Sequence, residues 1–212
     1  MTLALLKRTI LNKLALWLCY LKLIPILKEL NNDSLVIDCG ANVGNITNKF
    51  AATGATVFAF EPDPIAFAVL SSRFAATSNV HLFQKGVWDK NETVTLYHHK
   101  NQTKNELAFT VGSSIKRDKI NVTATKTSTI EVVDLIEFMQ SLNKKITVIK
   151  LDVEGAETEI LEKIITTKTY LLFDNLYTET HETKIPGQRQ NILELRKKIK
   201  EEGIKNIHLN WL

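Results

Sequence analysis

The chain has 212 residues, 44% of them hydrophobic and 24% charged, the makeup of one globular domain with a sizeable core, which excludes a disordered or fibrous protein. Its net charge of +4 resides in residues 1–30, where five Lys/Arg face one acid, while the remainder carries 22 of each sign; a basic body that grips nucleic acid is excluded. Two cysteines, Cys19 and Cys39, offer no disulfide framework and point to a reducing compartment, the cytoplasm.

Residues 3–24 set Leu3, Leu6, Ile10, Leu14, Trp17, Leu18, Leu21 and Ile24 at steps of three and four, which predicts an amphipathic helix or helix pair ending at Pro25. Lys22 interrupts the stretch, which lacks the roughly 18 uncharged apolar residues of a membrane span, and no small-residue cleavage site follows, as a signal peptide requires. Two placements fit: packing against the sheet or a second copy in a homodimer, or lying in a membrane interface, which the basic residues and Trp17 suit. The expected organisation is a helical segment over 1–30 and one domain over 31–212.

Leu35 to Asp38 form a short apolar run closed by an acid, and Gly40 and Gly44 bracket a turn before a helix begins near Asn45. Strand, tight loop and helix start are the parts of a cofactor cradle at the carboxyl edge of a first parallel strand. Asn42 stands near the place of the middle glycine of a dinucleotide loop, and no Gly-Lys-Ser/Thr ending is present, so pyrophosphate and triphosphate lack their usual seats. S-adenosylmethionine carries no phosphate. Asp38 suits its ammonium, the Gly40 backbone its carboxylate, and an acid further on its ribose diol.

That acid is Glu61. Thr56 to Phe60 predict a second buried strand ending in Glu61-Pro62-Asp63-Pro64, where each proline holds the residue before it extended and Pro64 suits a first helical position. Glu61 follows Asp38 by 23 positions, the spacing at which a strand-end acid meets a ribose. A helix over about 64–76 and a third strand over 80–84 follow. Lys85-Gly86-Val87-Trp88-Asp89 then flanks the adenine, with Gly86 allowing close approach and Val87 packing on the ring. Residues 93–97 and 120–130 read as strands. The polar stretch 98–105 between them reads as a loop, whose neighbouring His98 and His99 point to opposite faces and do not ligate one metal together. Gly112-Ser113-Ser114 reads as a turn, facing either the crevice or solvent.

Residues 130–142 predict a helix. Ile146 to Gly155 predict a strand with Lys150, Asp152 and Glu154 alternating on one side; buried charges there need partners or an open strand end. Tyr170 to Tyr177 predict the next strand, which ends in Thr178-Glu179-Thr180-His181-Glu182 and brings Glu179 and His181 beside Asp152 and Glu154. A helix over 191–202 and a strand over 206–210 close the chain.

The Asp-x-Gly-x-Asn-x-Gly loop of Asp38 to Gly44, Phe60-Glu61-Pro62, Lys150-Leu151-Asp152-Val153-Glu154-Gly155-Ala156-Glu157 and Glu179-Thr180-His181, in that order across about residues 34–185, resemble the FkbM methyltransferase family. The resemblance implies an α/β, Rossmann-like class I methyltransferase fold: a mostly parallel central sheet with helices on both faces, and S-adenosylmethionine on the loops after strands one to three. Its implied contacts are Asp38, Gly40, Asn42, Gly44, Glu61, Pro62, Gly86 and Val87. Gly112-Ser113-Ser114 resembles a small-residue patch of the family, whereas Gly86-Val87-Trp88 departs from the alanine that more often begins that segment. Family members commonly methylate hydroxyls on sugars or secondary metabolites, which implies an O-methyltransferase with a small-molecule or glycan acceptor.

In that chemistry His181 is the expected base, Glu179 its orienting partner, and Asp152 with Glu154 the groups holding the acceptor. The favoured reading holds no metal; in an alternative, Asp152, Glu154, Glu179 and His181 coordinate Mg²⁺. Two other classes stay open. One is a non-catalytic binding protein that retains the fold. The other is an NAD-dependent oxidoreductase, against which the loop and the lack of a Tyr-x-x-x-Lys pair argue.

Overall fold

A computed structural model describes residues 22–101, 110 and 112–209. Helical residues 22–29 (α1) precede β1 (Leu35–Cys39), α2 (Asn45–Ala51), β2 (Thr56–Phe60), α3 (Pro64–Phe74), β3 (Val80–Phe83), β4 (Gly86–Trp88), β5 (Glu92–His99) and β6 (Val122–Asp134). Then come α4 (Leu135–Ser141), β7 (Ile146–Leu151), α5 (Glu157–Thr166), β8 (Phe173–Thr178), α6 (Gln188–Glu201) and β9 (Ile207–His208).

Six strands form the main sheet in the order β3-β2-β1-β7-β8-β9, and every pairing within it is parallel. Every residue of β1 is buried, as expected of a strand covered on both faces and read from a continuous apolar run. One face packs on α4, α5 and α6 through Leu135, Met139, Leu161, Ile164, Ile192 and Leu195. The other packs on α1, α2 and α3 through Leu23, Ile26, Phe50, Leu70 and Phe74. This is the Rossmann-like doubly covered sheet. Leu23, Ile26 and Leu30 belong to its core, so residues 22–30 are built into the domain. The rest of the 3–24 segment lies outside the described residues, as do 102–105 of the polar loop and residue 210 of the last strand.

β1 lies between β2 and β7, so the strand order reverses there, and the crevice of such a sheet opens at the carboxyl ends flanking that point. A second sheet, ordered β4-β6-β5, stands over this edge, with β4 parallel and β5 antiparallel to β6. The 86–88 segment, expected to flank the adenine after strand three, is itself a strand. Among the described residues, no helix is long and apolar enough to cross a membrane.

The helix expected over 130–142 begins only at Leu135. Residues 130–134 extend β6, with Ile130, Val132 and Asp134 buried in alternation, and the β-branched Ile130, Val132 and Val133 favour a pleated surface over a helix. Asp134 marks the switch. Its Oδ1 accepts from Ile136 N (2.9 Å) and Glu137 N (3.3 Å), capping α4, while Oδ2 contacts Lys163 Nζ. Asp134→Ala is expected to cost about 1–2 kcal/mol, seen as a lower urea midpoint with an unchanged slope.

Candidate active site

Gly40 to Gly44 turn the chain from β1 into α2. Gly40 has φ 80°, and a Cβ there would lie 1.9 Å from the backbone oxygen of Asp152; only glycine lets the ends of β1 and β7 meet so closely. Gly40 N and Ala41 N both donate to Phe60 O (3.0 and 2.9 Å), and Asp152 N donates to Cys39 O (3.1 Å). Lys150 Nζ donates to Gly40 O at 2.8 Å, 3.3 Å from Asp38 Oδ1 and 3.6 Å from Asp152 Oδ2. Burial opposes the charge on Lys150, yet these carboxylates hold its pKa above the ordinary lysine range.

One cleft at this edge is lined by Gly40, Asn42, Glu61, Pro62, Gly86 and Val87, six of the eight residues expected to hold the cofactor. The other two stand behind it: Asp38 is fully buried and accepts from Thr47 Oγ1 at 2.7 Å, and Gly44 packs under Leu70 and Phe74. They shape the turn. Glu61 is buried, its Oε2 accepting from Asn42 N and its Oε1 from Asp63 N, each at 2.8 Å. Burial pushes its carboxyl up to about 7, although those backbone hydrogen bonds pull the other way. Val87, Leu96, Ile115, Ile130 and Val132 supply apolar wall, most of it from the small sheet. Ser113 lines the same cleft.

The acidic edge lies after β7 and β8. Asp152, Glu154, Glu179 and His181 come together there as expected. His181 is 2% exposed, with Nε2 2.9 Å from Glu154 Oε2, 3.6 Å from Glu179 Oε1 and 4.0 Å from Asp152 Oδ1. Nδ1 lies 2.9 Å from Glu157 Oε1, so the group at the ring's far side is Glu157, while Glu179 shares the Nε2 side. Burial favours the neutral ring, but the contacts with Glu154 and Glu157 outweigh it and raise its pKa to about 10. The ring is an imidazolium at neutral pH. Burial also opposes the charge on Glu154, yet His181 and Lys119 bring its carboxyl down to about 2. Asp152 is pushed up to about 6 by burial, which Lys150 counters and the neighbouring Glu154 and Glu179 reinforce.

A strand-loop-helix cradle, a strand-end acid and an acidic edge on a parallel sheet meet a family model described as the methyltransferase FkbM domain, which matches residues 38–205. The chain belongs to the FkbM methyltransferase family. This FkbM domain is 23% identical to Methyltransferase 1 of Beauveria bassiana over 167 residues, 72% of the chain and 67% of that protein. Among solved structures, it is similar to the FkbM methyltransferase of Methylobacillus flagellatus KT, with 17% identity and a TM-score of 0.42. That match covers 65% of the chain, which spans only 30% of the Methylobacillus protein. A Streptococcus mutans protein solved in complex with SAH gives 14% identity and a TM-score of 0.43, covering 83% of this chain and 78% of that one.

Two residues of the FkbM domain escaped the sequence reading. Lys119 has a fully buried side chain; its Nζ contacts Glu154 Oε2 and donates to Gly112 O at 3.0 Å. It stands just before the strand read over 120–130, and nothing local marks it. Glu157 closes the Lys150–Glu157 motif but was given no role. One signal was available: it is the third residue after Glu154, and one helical turn past a strand end can return a side chain to the same edge.

Proposed function

We propose that the FkbM chain transfers a methyl group from S-adenosylmethionine to a hydroxyl of a sugar, glycan or secondary metabolite. The observation that carries this reading is Glu61: a buried carboxylate, held by two backbone N–H groups, whose remaining lone pairs border the cleft. A vicinal diol has the donors such a carboxylate lacks. The Gly40–Asn42 backbone would hold the aminocarboxypropyl end, and Val87 with the apolar wall would take the purine. The bound cofactor supplies an electrophilic methyl on a sulfonium.

An alcohol is a poor nucleophile until its proton leaves. Asp152 and Glu179 are each about a quarter exposed and are the groups that would hold the acceptor and take its proton. Glu154 is bound to Lys119 and His181. With its pKa near 10, His181 enters as a cation that fixes the surrounding carboxylates. The expected base role thus passes to a neighbouring carboxylate.

The test is calorimetric titration with S-adenosylmethionine beside NAD⁺, followed by transfer of labelled methyl to hydroxylated glycans. Binding of neither would end the reading, and binding without transfer to any hydroxyl would favour a binding protein. His181→Ala frees the carboxylates that the ring positions and is expected to lower turnover about a hundredfold with cofactor affinity nearly intact; an unchanged rate removes His181 from the acceptor side.

Cofactor affinity should also follow pH. Below about 7 the Glu61 carboxyl takes up a proton and can no longer accept from both ribose hydroxyls. Affinity is therefore expected to fall as pH drops, by up to about tenfold per unit, in titrations from pH 8.5 to 5.5. A flat profile would show that Glu61 does not meet the ligand as a carboxylate.

A further inference from the structure

Four carboxylates converge on one buried imidazole. His181 faces all four, Asp152, Glu154, Glu157 and Glu179, while Lys119 contacts Glu154, Lys184 lies 3.8 Å from Glu179, and Lys150 is shared between Asp152 and Asp38. The geometry around His181 is also unusual for an ion pair. Although Glu154 Oε2 lies 2.9 Å from Nε2, Nε2 makes no aligned hydrogen bond, and Asp152 Oδ1 and Glu157 Oε2 are likewise buried without one. The oxygen therefore lies off the axis of the ring's N–H.

Off-axis oxygens at these separations match ligands around a common ion. With bonds of about 2.2 Å, ligand atoms at right angles lie about 3.1 Å apart and opposed ones about 4.4 Å. The three carboxylate distances from Nε2, 2.9, 3.6 and 4.0 Å, fall in or next to that range. Glu157 holds Nδ1 from behind, as second carboxylates do for metal-bound histidines, leaving Nε2 to face the cluster.

We propose that His181 Nε2, Asp152, Glu154 and Glu179 form a divalent-cation site, in which the ion displaces the Nε2 proton that the metal-free ring carries, with Glu157 orienting the ring. One imidazole among carboxylates suits Mn²⁺ better than Mg²⁺, which prefers oxygen ligands. Lys119 holds Glu154 ionised beside the ion. This inference rests on the reading of this edge as the acceptor side, where such an ion would hold a hydroxyl oxygen and make it more acidic.

The test is titration of the chelator-stripped full chain with MnCl₂, followed by calorimetry and by the electron paramagnetic resonance signal of free Mn²⁺. One ion per chain is expected, with Mg²⁺ at least about tenfold weaker. Asp152→Asn and His181→Ala should each weaken Mn²⁺ at least about tenfold, and Glu201→Gln, in an exposed pair with Lys197, should not. Should His181→Ala fail to fold, the partly exposed Asp152 still decides. Absence of Mn²⁺ binding, or equal binding by Asp152→Asn, overturns the site. Titration of the same metal-free sample with S-adenosylmethionine is a separate arm, whose failure overturns the methyl-transfer reading instead.

Discussion

Replacing Glu61 with Ala is expected to lower affinity for S-adenosylmethionine about a thousandfold, with the fold retained. Two hydroxyls donating to one carboxylate make two charge-assisted hydrogen bonds, each worth about 2 kcal/mol, or about 4 kcal/mol together. The loss is large because a diol bound against Glu61 would be enclosed. Glu61 is 5% exposed, so a diol that loses this partner finds little water to replace it. The fold should survive, since the two freed N–H groups, of Asn42 and Asp63, border a cleft that water can enter. Glu61→Gln should recover little: its amide would turn an N–H toward one of those donors. Calorimetric titration of both variants measures the effect, and a loss below about fivefold would detach Glu61 from the ribose.

Gly40→Ala is expected to be more damaging and to act through the backbone. At φ 80° an alanine is strained by about 1–2 kcal/mol, and its Cβ would stand 1.9 Å from Asp152 O, a separation no side-chain rotation relieves. The ends of β1 and β7 would have to part by more than about 1 Å to restore ordinary contact. That opens the Asp152 N to Cys39 O bond and the Lys150 Nζ to Gly40 O bond, the second of which carries a buried charge. A loss of about 4 kcal/mol or more follows, measured by urea denaturation, together with loss of cofactor binding. A stable variant that binds normally would show that the two strand ends need not touch.

Much of this was legible in the chain. The apolar runs at 35–37, 56–60 and 146–149 have the continuous pattern of strands buried on both faces, and prolines 62 and 64 hold Glu61 at a strand end. The acidic edge was readable because charged residues end two core strands. The boundary at 130–135 was not readable: Ile130, Val133 and Ile136 also fit a helical step, and tertiary pairing with β5 decides the strand. Lys119 was invisible because a lysine in a polar stretch gives no sign that its ammonium is enclosed. His181 was singled out as the base, but its protonation state depends on Glu157, brought to it by the first turn of α5.

The small sheet bears on how ligands come and go. β4 follows β3 after only Gln84 and Lys85, and β6 runs into α4 without an intervening residue. Its Ile130 and Val132 are packed while also lining the cleft. A flap needs a hinge, and a wall spliced into the main body at both of these junctions has no slack for one. Exchange of spent for fresh donor should then proceed through small local rearrangements at the rim, at a rate that responds more to substitutions in residues 112–115 than to any change in the junctions.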